Sequence, residues 1–299
     1  MEHTEHDCDI CGSANAAEIE CLRKYTGGEP LHVCRDCGCV YLRRRRSHKV
    51  IADAWSDKLF QTGDVSGSSS VYTAVRPAIK ARLVHVLETI DQEVGLAGSR
   101  ICDIGAGEGV FLDYIQRLGK KAELFGIEPS AANCRLMDER GIANFHGTIE
   151  DYLGSERVEA GAFDVVTIMW TLENCEDCKA MVRAAWSLLK PGGHIMVATG
   201  SRILAPFKKP LNFYIAPGDQ DTHSLRFSPN SLSNLFRACG FEPTYINRYI
   251  DNDILCMIGQ KKDAPLQTPL ARDDWREIIA FFERWDKETS DHYSAYQDV

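Results

Sequence analysis

Cys8-Asp-Ile-Cys11-Gly12 and Cys34-Arg-Asp-Cys37-Gly38 repeat one short device: two thiols three positions apart, followed by a glycine. Thiolates at that spacing converge on one ion, and the glycine allows the turn that aims backbone N–H groups at sulfur. Twenty-two residues separate Cys11 from Cys34, close to the spacing of a tetrahedral zinc site with Cys8, Cys11, Cys34 and Cys37 as ligands. Four protein ligands close such a site, so the ion is structural and carries no chemistry of its own. Cys21, His32 and Cys39 are alternatives for one ligand. Cys175 and Cys178 form another CxxC without a partner pair, which reads as coincidence at a helix start.

A second constellation is Arg100-Ile-Cys-Asp-Ile-Gly-Ala-Gly-Glu-Gly109. An apolar strand runs into glycines at 105, 107 and 109, and Val110, Phe111, Tyr114, Ile115 and Leu118 then recur at helical spacing. Strand, glycine turn and helix start make a small-molecule cradle, because glycine lets backbone N–H groups approach a ligand closely. Asp103 ends this strand and Glu128 ends the next; a carboxylate at the second position can accept both hydroxyls of a ribose. A nicotinamide-dinucleotide fingerprint needs a further glycine where Val110 stands.

These residues require a frame of strands and helices. Apolar strand patterns fall at 100–104, 123–127, 143–146, 163–170 and 194–198, with helical patterns at 110–118, 131–139 and 179–189. Such alternation predicts an α/β fold, a doubly wound and mostly parallel sheet with helices on both faces and its site at the carboxyl ends of the strands. Between the two cysteine pairs, strands are expected at 18–23 and 31–33, joined by Thr26-Gly-Gly-Glu-Pro30, the build of a zinc ribbon. A short helix is expected at 50–59, a flexible run at Ser66-Gly-Ser-Ser-Ser70, and an amphipathic helix from Tyr72 onward. The tail has Trp275, Ile278, Ile279, Phe282 and Trp285 on one helical face. Docking of that face on its own domain is the first reading and a homodimer through it the second.

Asp103-Ile-Gly-Ala-Gly-Glu-Gly109, the acidic Glu128, Phe163-Asp-Val-Val166 and Leu189-Lys-Pro-Gly-Gly193, in that order, resemble the class I S-adenosylmethionine-dependent methyltransferases over about 72–260. The resemblance implies a Rossmann-like sheet of seven strands whose last strand is antiparallel; 241–249 and 253–259 fit its closing hairpin, after a helix at 231–239. It implies that Asp103, Gly105, Ala106, Gly107, Gly109, Glu128 and Pro129 surround S-adenosylmethionine. Thr148 and Ile149 would flank its adenine, Met169 and Trp170 would lie beside sulfur and methyl, and Tyr72 could reach the methionine end. A zinc ribbon ahead of such a domain is similar to the sugar C-methyltransferases and their relatives. Gln220-Asp-Thr-His223-Ser-Leu-Arg-Phe227-Ser228 matches that group at His223 and Phe227-Ser228 and departs from it at Gln220 and Thr222, while Asn174 stands where the group has a histidine. His223 precedes the last helix, where family substrates bind. It is the candidate catalytic base, because imidazole titrates near neutrality. His194 and His146 fall in strand patterns and read as structural.

Composition bounds the remaining choices. A chain of 299 residues divides as zinc ribbon 1–45, linker and helix 46–71, methyltransferase domain 72–262 and C-terminal extension 263–299. The net charge of -9 argues against bulk nucleic-acid binding, and Arg43-Arg44-Arg45-Arg46 reads as a solvated linker. The polar, acidic N-terminus carries no signal peptide, no apolar run spans a bilayer, and twelve cysteines fit a reducing compartment. The expectation is a cytoplasmic enzyme with a small-molecule partner, a sugar nucleotide, glycan or natural-product intermediate, and no membrane partner. The alternative is a methyltransferase of protein or RNA, or a non-catalytic module, that grips its partner with the ribbon and Arg43 to Arg46.

Overall fold

Five short strands open the chain: β1 (His3–Glu5), β2 (Ala16–Glu18), β3 (Leu31–Cys34), β4 (Val40–Leu42) and β5 (Arg44–Arg46). The structure is a computed structural model that describes residues 3–24, 29–61, 77–200, 223–247 and 254–294. Tyr72, the serine-rich run at 66–70, the turn at 25–28 and the Gln220 and Thr222 positions lie outside them. The strand expected at 18–23 is divided. β2 stops at Glu18 and Glu20–Leu22 forms a 3-10 turn, which lets Ile19 and Leu22, three apart, turn to one side and both be fully buried.

The arginine run is not a solvated linker. β5 pairs antiparallel with β1, His3 opposite Arg46 and Glu5 opposite Arg44. Arg45 is 1% exposed and its guanidinium grips both oxygens of Asp9, at 2.6 and 3.1 Å. Arg43 and Arg44 lie 3.5 and 3.3 Å from carboxylates of Asp7 and Glu29.

Helices α1 (His48–Gln61) and α2 (Pro77–Glu93) lead to the main sheet. There β6 (Arg100–Ile104), α3 (Val110–Arg117), β7 (Glu123–Glu128), α4 (Ala131–Glu139), β8 (Ala143–His146), α5 (Ile149–Leu153), β9 (Phe163–Met169), α6 (Cys178–Leu188) and β10 (Leu189–Thr199) alternate as expected. A two-residue strand, β11 (Leu225–Arg226), precedes α7 (Pro229–Ala238), and β12 (Phe241–Ile246) and β13 (Leu255–Lys261) follow. Seven strands form the sheet in the order β12-β13-β10-β9-β6-β7-β8. β6 to β10 are parallel and β13 is antiparallel to both of its neighbours. Strand order reverses at β6, which sits between β9 and β7, so β6 marks the switch point where a ligand crevice opens. Alternate side chains of β6 enter different cores: Ile101 joins Val86, Ile90 and Leu112 on one face, whereas Cys102 and Ile104 join Val166 and Leu188 on the other.

The ribbon is built into this domain at two places. β11 adds to β4, Leu225 opposite Tyr41 and Arg226 opposite Val40, and completes a four-stranded sheet β11-β4-β3-β2. The last helix, α8 (Trp275–Ser294), buries Ile278, Phe282 and Trp285 against Ile19, Leu22, Leu31, Val33 and Val40. The aromatic stripe therefore docks within the chain, on the ribbon rather than on the large domain. It supplies a core that a segment so short could not assemble alone. No described helix is long and apolar enough to cross a membrane.

Candidate functional site

Gly105, Gly107 and Gly109 adopt φ of +75°, +55° and +72°, a backbone that favours glycine. Their surroundings differ. A Cβ on Gly105 would lie 2.3 Å from Thr171 Oγ1 and one on Gly109 would lie 2.5 Å from Met137, whereas one on Gly107 would meet nothing within 4 Å. The outer glycines let the loop pack; the middle one faces open space at the carboxyl edge of the sheet. That opening is where the cradle can admit a ligand.

Glu128, 6% exposed at the end of β7, frames the same space. Its Oε2 accepts the Gly107 backbone N–H at 2.9 Å, and Oε1 accepts the Ser130 N–H at 3.0 Å and the Asn133 amide at 3.2 Å. Burial raises its pKa against the pull of those donors. Asp103 is fully enclosed at the end of β6 and accepts the Thr167 hydroxyl at 2.7 Å. Desolvation pushes its carboxyl up to about 7, and the hydroxyl offsets only part of this.

Farther along the edge, Thr148 caps α5 in a reciprocal box with Asp151, and Ile149 is buried in the core. His146 bonds the Pro129 carbonyl at 3.0 Å, joining the turns after β7 and β8. Trp170 follows β9 with φ +55°, unusual for a residue with a side chain. Its N–H donates to Ala198 O at 2.8 Å and its carbonyl accepts from Asn174 at 3.0 Å. The structure thus gathers Asp103, Gly105 to Gly109, Glu128, Pro129, Thr148, Ile149, Met169 and Trp170 along one edge. His223, half-buried, lies two residues before β11, where its carbonyl accepts from Arg226 at 3.2 Å. Tyr72 lies outside the described residues.

Sequence reasoning passed over Glu173. It sits in a 3-10 turn, Leu172–Asn174, and is 1% exposed. Its neighbours in sequence give no signal for this, because the groups that act on its carboxyl include Thr199, Gly200 and Arg226 from distant segments.

Cys8, Cys11, Cys34 and Cys37 bring their sulfurs within 4.8 Å of one another, with Cys8–Cys37 and Cys11–Cys34 both at 3.5 Å. Four thiolates about 2.3 Å from one ion would stand at comparable separations, so the set fits tetrahedral zinc. Gly12 and Gly38, at φ +74° and +81°, form the two knuckles. Hydrogen bonds from Cys34 and Cys37 draw the Cys8 thiol far below its usual range, while burial pushes Cys11 up to about 12. A cation in their midst would relieve that imbalance. Cys21, His32, Cys39, Cys175 and Cys178 belong to no metal-ligating group among the described residues.

A family model described as a methyltransferase domain matches residues 73–246. The chain is 32% identical over 169 residues to a ubiquinone biosynthesis O-methyltransferase of Ralstonia nicotianae, covering 54% of this chain and 70% of that one. It is 37% identical over 123 residues to the protein of the same name from Cupriavidus pinatubonensis, covering 40% of this chain and 48% of that one. Among solved structures it is similar to the Burkholderia thailandensis 1,6-didemethyltoxoflavin-N1-methyltransferase, solved with 1,6-didemethyltoxoflavin and S-adenosylhomocysteine bound. There the TM-score is 0.53 and the identity 14%, over 75% of this chain and 96% of that one. At that identity the likeness is one of fold.

Proposed function

We propose, for a chain that belongs to the methyltransferase domain family, that its S-adenosylmethionine-dependent reaction methylates a hydroxyl group of a small molecule. The observation that carries the donor site is Gly107, open on its ligand side and tied to Glu128 at 2.9 Å. In this reading Glu128 takes the ribose hydroxyls, and Gly105, Ala106, Gly107 and Gly109 follow the donor with Asp103 behind them. Pro129, Thr148 and Ile149 flank the adenine, and Met169 and Trp170 border the reacting methyl, with Tyr72 at the methionine end. S-adenosylmethionine supplies a methyl group made electrophilic by its sulfonium. The chain holds the acceptor in line with it, and alignment alone can contribute several kcal/mol. His223, at the entry to β11, is the proposed base on the acceptor side.

Two observations support a small acceptor. The sequence relatives at 32% and 37% identity are named O-methyltransferases of ubiquinone biosynthesis. Three arginines of the run that could have gripped RNA or an acidic protein, Arg43, Arg44 and Arg45, are instead paired with Asp7, Glu29 and Asp9. Within small molecules, the ribbon, His223 and Phe227-Ser228 favour a sugar nucleotide or related natural-product intermediate. The proposed division gives the ribbon 1–45, the link 46–71, donor binding and transfer 72–262, and the extension 263–299. Zinc on Cys8, Cys11, Cys34 and Cys37 holds the ribbon and takes no part in transfer.

The test is methyl transfer to catechol and to a nucleotide-sugar panel, with RNA and peptide as comparison. Product from either small-molecule set and none from the macromolecules is expected; transfer only to RNA or peptide would sink the proposal.

A further inference from the structure

Two buried polar atoms on the loop after β9 have no hydrogen-bond partner among the described residues: Nε1 of Trp170 and Oε2 of Glu173. One is a donor and the other an acceptor. The carboxylate of Glu173 receives the Thr199 hydroxyl and the backbone N–H groups of Glu173 and Gly200, yet none of these reaches Oε2. Gly200 also borders the indole, since a Cβ placed there would lie 3.8 Å from Trp170 Nε1. Gly200, at the carboxyl end of β10, therefore adjoins both the Glu173 carboxylate and the Trp170 indole. Between them in sequence, Thr171 packs on the glycine loop, its hydroxyl 3.4 Å from Gly105 O. The pair thus belongs to the wall that the donor cradle shares with the strand ends, where ligands of such sheets bind.

Leaving a carboxylate oxygen buried and unpaired is costly, most of all when it carries charge. A group so placed calls for a specific partner. We propose that Glu173 is a catalytic residue whose Oε2 receives the proton of the acceptor's hydroxyl during methyl transfer, with Trp170 Nε1 donating to a neighbouring oxygen of the same acceptor. As the acceptor O–CH3 bond forms and the donor's S–CH3 bond breaks, the O–H proton passes to Oε2 and S-adenosylhomocysteine leaves. The acceptor so recognised carries two adjacent oxygens, as a vicinal diol or a catechol does. Desolvation pushes the Glu173 carboxyl up to about 7, against the counter-pull of Thr199, Gly200 and Arg226. That places it where a base works well at neutral pH. The inference rests on the small-molecule reading above and assigns to Glu173 the proton that reading gave to His223.

The variant is Glu173→Gln, assayed with catechol and the nucleotide-sugar panel. It should bind S-adenosylhomocysteine as the parent does while kcat falls about 100-fold or more. The parent's kcat should rise through an acid limb near pH 7, set by the carboxyl at about 7. That limb should vanish in Glu173→Gln and return in Glu173→Asp. Unchanged kcat, a retained limb, or loss of S-adenosylhomocysteine binding would each overturn the proposal, the last by making the carboxylate a support for the fold. If no small probe is methylated, the small-molecule reading fails, and Glu173 is then judged by dicyclohexylcarbodiimide, an apolar reagent that adds to protonated, desolvated carboxyls. An N-acylurea adduct mapped to Glu173 in the intact protein supports a reachable oxygen; its absence overturns it.

Discussion

The Gly107 backbone N–H points at Glu128 Oε2 across 2.9 Å, so the residue that faces open space is held by the carboxylate that frames it. Every hydrogen-bond partner of that carboxylate among the described residues is a donor: Gly107, Ser130 and Asn133. Glu128→Gln keeps the shape but turns one acceptor into an NH2 group, which must meet one of those donors whichever way the amide is placed. An unpaired buried donor costs about 1–3 kcal/mol. S-adenosylhomocysteine affinity by calorimetry should therefore fall about tenfold to a hundredfold. Unchanged affinity would show that Glu128 supports neither the loop nor the ligand.

Gly105 and Gly107 share a positive φ but should respond differently to one added methyl. In Gly105→Ala the new Cβ would lie 2.3 Å from Thr171 Oγ1; overpacking of this kind costs about 1–3 kcal/mol. Melting temperature should drop. In Gly107→Ala nothing lies within 4 Å, and only the left-handed backbone penalty of about 1–2 kcal/mol applies. The fold should persist while S-adenosylhomocysteine binding is lost, because the methyl fills the ligand's space. Retained binding in Gly107→Ala would place the ligand elsewhere.

Much of this site was legible because parallel strands buried on both faces read as apolar runs. The strand at 100–104 is found as expected on that ground, and so are the helix at 131–139 and the strand at 143–146, although the latter is an edge strand with exposed ends. What escaped depends on partners far away in the chain. Arg44–Arg46 looks like solvent-facing charge until β1 and Asp9 are brought beside it. The apolar face of α8 was plain, but its docking site is the ribbon at the other end of the chain. Glu173 gave no sign at all, since Thr199 and Arg226 create its environment only after folding.

Asp103 gives stability a pH slope of known sign. Its carboxyl rises from an ordinary 3.8 to about 7 because burial penalises the charge. Below about pH 4 both folded and unfolded chains hold the proton, whereas between about pH 4 and about pH 7 only the folded chain does. Its contribution is therefore fully present at low pH and declines as pH rises through that window, by about 1.4 kcal/mol per unit of displacement. Asp103→Asn should flatten this part of a urea-midpoint profile relative to the parent. Identical slopes would refute the assignment.

Cys37 and Asp273 couple the cysteine cluster to the C-terminal helix. The Asp273 N–H donates to Cys37 O at 3.2 Å, and its carboxylate accepts from Ser228 at the cap of α7. One residue on from Asp274, α8 begins and lays Phe282 on Ile19, Leu31 and Val33. Phe282→Ala should remove about 3–5 kcal/mol from the ribbon, and because a short ribbon folds with its metal, zinc should leave more readily. The expected result is faster zinc loss to a chelator and weaker amide protection in β3 and α8. S-adenosylhomocysteine binding, which the proposed site places at the ends of β6 and β7, should be unchanged. Equal zinc release from Phe282→Ala and the parent would mean that the ribbon holds its ion without α8.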